Sequence, residues 1–110
     1  MKVIEKENYL ILRDEKGDVK KFPSYLEQQY DKFRDNNLVV DILRHGELEL
    51  EELLMFLKLS NRHRKNKHSF VIANDAINID RVPDELVVVP TLREAEDIIQ
   101  MEEIERDLGF

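Results

Sequence analysis

The chain has 110 residues, enough for one domain that buries roughly two-thirds of the surface its unfolded form exposes. It has no Cys, which excludes thiol catalysis and thiolate metal sites and fits a reducing interior. A net charge of −7 argues against a general attraction to nucleic acid, whose binding depends on Lys and Arg displacing counterions.

No apolar run approaches the ~20 residues that span a bilayer, and the N-terminus lacks a basic region followed by an apolar core. No membrane partner is expected, and the cytoplasm is the expected compartment. The segments KVIEK and YLILRD read as strands, followed by the turn-forming DEKGD and by VKKF as a short strand that can pair back. In SYLE, Ser24 and Glu27 make a capping box that opens a helix through about Asp35, with Leu26, Tyr30 and Phe33 on one side. Asn36 and Asn37 close it.

Three short runs rich in branched apolar residues come next: LVVDIL (Leu38 to Leu43), SFVIA (Ser69 to Ala73) and LVVVP (Leu86 to Pro90). They do not alternate, as expected of parallel strands covered on both faces. Between the first two, a helix of about Leu50 to Lys67 begins with Glu and ends in the basic NRHRKNKH, matching the helix dipole at both termini. DAINIDRVPDE contains Pro83 and reads as a loop or a single turn. TLRE then repeats the capping box with Thr91 and Glu94, opening a helix toward Leu108. The expected fold is a single α/β domain whose mixed sheet has parallel core strands flanked by helices.

Tests for chemistry select no catalytic residue, metal site or cofactor. His45, His63 and His68 lack the His-x-His or His-x-x-x-His spacing of a metal pair. The His-x-His-x-Asp-His cluster required by a zinc phosphodiesterase such as ribonuclease Z is not in the sequence. Asp75, Asn78 and Asp80 lack the alternate ligands, the turn glycine and the closing Glu of a calcium loop. Gly17, Gly46 and Gly109 are too scattered for a phosphate loop.

Excess apolar surface is the more useful signal. Counting about 100 degrees per residue, Leu50, Leu53, Leu54 and Leu57 form one stripe of the second helix, with Phe56 at its margin and Met55 and Leu59 nearly opposite. Met55 and Leu59 either touch a neighbouring helix or offer an apolar contact to a partner. In the last helix, Leu92, Ala95, Ile98 and Ile99 make one face, while Met101, Ile104 and Leu108 make another, rotated by well over a quarter turn. Either this helix bends near Gln100 or its end packs on something else, such as another copy.

From Leu38 to Ile99 the chain resembles the STAS family, the domain of anti-sigma-factor antagonists and sulfate-transporter tails. LVVDIL resembles the family's apolar strand with Asp41 in its Asp position, LLMFLKLSNRHRKNK its leucine-rich helix, FVIAND the next strand and TLREAEDI the closing helix. Against the family's Asp-Ser-Ser-Gly stand Glu49, Leu50, Glu51 and Glu52, so the phosphorylatable serine falls on Leu50. The resemblance implies a non-enzymatic regulatory module that binds a protein, of anti-sigma or kinase type, without the phosphoserine switch. The built-in glutamates either mimic a phosphorylated surface or only favour the dipole of a helix start. The expected contact surface is Glu49, Glu51, Glu52, Met55 and Leu59, with Met101, Ile104 and Leu108 as the second candidate. An accessory subunit or small homodimer supporting another enzyme is the alternative.

Overall fold

The computed structural model describes residues 1–109. A hairpin of β1 (Lys2–Glu5) and β2 (Tyr9–Arg13) opens the fold, and β3 (Asn37–Asp41), β4 (Phe70–Ala73) and β5 (Val87–Val89) complete one sheet in the order β1-β2-β3-β4-β5. Only β1 and β2 are antiparallel, and every later pair is parallel. Helices α1 (Phe22–Gln28), α2 (Leu50–Leu54) and α3 (Leu57–Lys65) connect successive strands, and α4 (Leu92–Asp107) follows the last one. The α/β class and the parallel core therefore match the sequence expectation.

Sequential strand order with right-handed crossovers puts all connecting helices on one face. Leu12, Leu38, Val40, Phe70 and Ile72 point to that face and pack with Phe22, Leu26, Leu53, Phe56 and Leu59. Tyr9, Ile11, Val39, Val71 and Ala73 point the other way and meet Ala95 and Ile99 of α4. Both faces are covered, which explains why the central strands read as continuous apolar runs.

Four local expectations are corrected. VKKF is no strand: Val19 is a buried turn residue and Phe22 already opens α1, because both side chains serve the core. Ser24 does not cap that helix. Its N-cap is Lys21, three residues earlier, which makes no side-chain cap bond; the turn before it is held by the Asp18 carboxylate, which accepts from the N–H groups of Lys20 (3.2 Å) and Lys21 (3.3 Å), and Pro23 lies in the first turn. The helix ends at Gln28 and a 3-10 turn, Tyr30–Lys32, brings Tyr30 and Phe33 inward. Asn37 begins β3 rather than closing the helix.

The fourth correction is the helix expected over Leu50 to Lys67, which is two helices. Met55 and Phe56 donate to the carbonyls of Glu52 (3.3 Å) and Leu53 (3.1 Å), three residues back, before Ser60 resumes the four-residue pattern on Phe56 (2.9 Å). The tightened turn drives Phe56 into the core against Phe22, with ring centroids 6.4 Å apart. Burying a Phe is worth roughly 1.5–3 kcal/mol, more than the ~1 kcal/mol of one net backbone hydrogen bond. Between β4 and β5 the chain makes one 3-10 turn, Ile79–Arg81, the loop or single turn expected there.

Candidate functional site

The carboxyl ends of parallel strands are where open α/β sheets place ligands. Here β2 runs into Asp14, β3 ends in Asp41 and β4 runs into Asn74, all buried. Arg13 Nε holds Asp41 Oδ2 at 2.8 Å, and the Leu43 N–H donates to Asp41 Oδ1 at 3.1 Å. His45 Nε2 lies 2.9 Å from Asp14 Oδ2, whose other oxygen accepts from the Lys16 N–H at 3.0 Å. Asn74 donates to the carbonyls of Ile42 (3.3 Å) and Gly46 (2.9 Å) and accepts from Ala76 and Ile77. Each group fastens the 42–46 connection, where Gly46 takes a φ of 64°. The sequence placed Asp41 in its family position but gave no hint of the Asp14–His45 pair, which joins residues far apart in the chain.

That connection delivers the acidic junction. Glu52 reaches back to the Glu49 N–H at 2.9 Å, the return half of a capping box, while Glu51 is exposed. Met55 is 46% exposed at the turn between α2 and α3. Leu59, expected beside it, is only 2% exposed and belongs to the core, so it offers nothing to a partner. Two residues in a 3-10 turn advance about 120 degrees each rather than 100, and this added rotation carries Leu59 inward. Leu54, at the end of α2, is exposed, contrary to the expected inward stripe. Leu54 and Leu57 floor a shallow groove of about 720 Å³ rimmed by Lys58, Arg62 and Lys65. Arg62 is held over the Tyr30 ring, 4.4 Å from its centroid.

On the other side of the sheet α4 runs unbroken. Thr91 Oγ1 accepts from the Glu94 N–H at 3.1 Å, the cap that TLRE implied. The inward side is anchored by polar groups. Glu103 accepts from Asn8 (3.0 Å) and Asn37 (2.6 Å); Arg106 donates to Asn37 Oδ1 and Ser69 Oγ, both at 3.2 Å. Asn37 Oδ1 also accepts from the Ser69 N–H at 2.8 Å. Glu102 pairs with Arg64 of α3 at 3.1 Å, and Glu96 accepts from the Tyr9 hydroxyl at 3.3 Å. Burial first, then the Glu96 charge, raises the Tyr9 pKa. With that side fixed, Met101, Ile104 and Leu108 face solvent at 57, 59 and 65% exposure. The structure thus brings these three candidates together without bending the helix.

Although the sequence gives His63 and His68 no metal-pair spacing, their ring centroids lie 5.5 Å apart. His63 is buried, not a surface cation at a helix end. Its Nε2 meets the Asn36 carbonyl at 2.7 Å, so that nitrogen carries the proton, and Nδ1 accepts from the Tyr30 hydroxyl at 2.8 Å. Asn66 donates in turn to the Tyr30 oxygen at 3.0 Å. No helix among the described residues is long and apolar enough to cross a membrane. No protein-family model matches the chain, and no curated protein matches it.

Proposed function

We propose that this chain is a STAS-like, non-enzymatic protein-interaction module that works in the cytoplasm without a phosphoserine switch, and that its contact surface is the outer stripe of α4. What carries the reading is that stripe: Met101, Ile104 and Leu108 stand in water on a helix whose opposite side already supplies everything the sheet needs. Apolar side chains grouped this way favour a protein contact, because their desolvation supplies binding energy that charge alone rarely gives. The order of elements from Leu38 to Ile99 supports the family resemblance: a strand ending in Asp41, leucine-rich helices, a strand running into Asn74 and a helix opened by Thr91 and Glu94. Leu50 at the serine position supports a partner that reads shape rather than phosphate. The resemblance makes that partner an anti-sigma or kinase-type protein.

Capture from native cytoplasm with cross-linking tests the surface. The triple change Met101→Ser, Ile104→Ser, Leu108→Ser should abolish recovery of the partner, whereas Glu51→Gln should leave it. Equal recovery by the triple variant and the parent would overturn the assignment to α4.

A further inference from the structure

We propose that the outer stripe of α4 docks into the α2–α3 groove of a second copy of this chain, giving a head-to-tail assembly. The inference rests on the reading of α4 as the contact surface and adds a second copy as an occupant that competes there with the partner proposed above. Two surfaces on opposite faces of the sheet complement one another. On α4, the apolar stripe runs beside Asp97 and Glu105, each one turn from Met101. In the groove, Leu54 and Leu57 supply an apolar floor, and Lys58 and Lys65 supply exposed cations in a chain of net charge −7. Among the described residues neither lysine pairs with a carboxylate.

The dimensions agree as well. Positions 97–108 extend about 16 Å along α4, and Leu57–Lys65 of α3 about 12 Å, with Leu54 just beyond its start. Asp97 and Glu105 are about 12 Å apart along the axis and Lys58 and Lys65 about 10 Å, so both ion pairs can form across one helix–helix contact. Because donor and acceptor lie on different faces of one molecule, the contact is heterologous and grows into a ring or an open chain rather than a closed dimer. A single helix–helix contact is small, below the roughly 1,200 Å² of stable interfaces, so assembly belongs to high protein concentration.

Sedimentation of the full chain at concentrations up to about 1 mM tests this. The parent should show a mass that rises with concentration past the dimer. A donor-blocked variant (Met101→Ser, Ile104→Ser) and a groove-blocked variant (Lys58→Glu, Lys65→Glu) should each stay monomeric, yet their equimolar mixture should form a heterodimer and stop there. Adding Asp97→Lys and Glu105→Lys to the groove-blocked variant should restore growth. Circular dichroism matching the parent verifies folding, since every changed side chain is on the surface. A parent that stays monomeric, or a mixture that does not pair, overturns the proposal. If the parent is monomeric while the α4 changes still abolish capture of a cytoplasmic protein, self-assembly falls and the α4 surface stands. If those changes alter neither assembly nor capture, both fall.

Discussion

Acidification should destabilise this protein through His63. Burial is the main cause that lowers its pKa from 6.5 to about 4; the bond to the Asn36 carbonyl opposes the shift, and the charges of His68 and Arg64 add to it. The folded state therefore holds the neutral ring, while the unfolded chain takes up a proton near pH 6.5. Stability from this group is complete above pH 6.5 and is lost as pH falls toward 4, because the unfolded state binds the extra proton in that window. The full shift is worth ~3 kcal/mol, of which about 2 kcal/mol is lost between pH 7 and pH 5. Urea unfolding at the two pH values measures it, with His63→Gln as the reference, which changes only this titratable group. The parent should lose about 2 kcal/mol more than the variant over that interval. Equal losses, or a His63 ring proton that titrates near pH 6.5 by NMR, would refute the reasoning.

Asn37→Ala should cost about 3 kcal/mol in chemical denaturation, because it orphans the buried Ser69 N–H and removes a partner from both Glu103 and Arg106. Leu59→Ala should cost about 2–5 kcal/mol, whereas Met55→Ala, on the surface at the adjoining turn, should stay within about 0.5 kcal/mol. Similar losses for the two, read from urea midpoints, would place Leu59 outside the core.

The sheet was legible because its signal is local: a run such as LVVD needs no partner to announce a strand covered on both sides. The cap of α4 was equally local, a Thr and the N–H three residues on. The start of α1 was not, since Ser24 offers a side-chain oxygen to a helix start, and only the burial of Phe22 decides for the earlier start after Lys21, which has no side-chain cap. The polar anchors were out of reach for a different reason. Asn37 gathers Asn8, Ser69, Glu103 and Arg106 from three separate segments, and His45 meets Asp14 across the sheet's end. No spacing rule connects such residues before the strands are placed.

The two candidate surfaces fared differently because their helices differ in regularity. The 100-degree count holds along α4, where sixteen residues run without interruption, so the outward stripe could be drawn from the sequence alone. Across Glu51 to Leu59 the same count fails at Met55 and Phe56, where a buried aromatic outweighs one regular hydrogen bond. The acidic junction shrinks accordingly. Glu52 is tied to the backbone of Glu49, and a five-residue helix aligns few peptide dipoles. Glu49, Glu51, Leu54 and Met55 remain exposed beside a basic-rimmed groove, with Leu59 lost from the apolar part of that surface. On α4, by contrast, three apolar side chains and two carboxylates lie along one unbroken face. Charge beside an apolar strip that binding removes from water is the combination that gives both association rate and affinity, and α4 is the helix whose exposed face carries both.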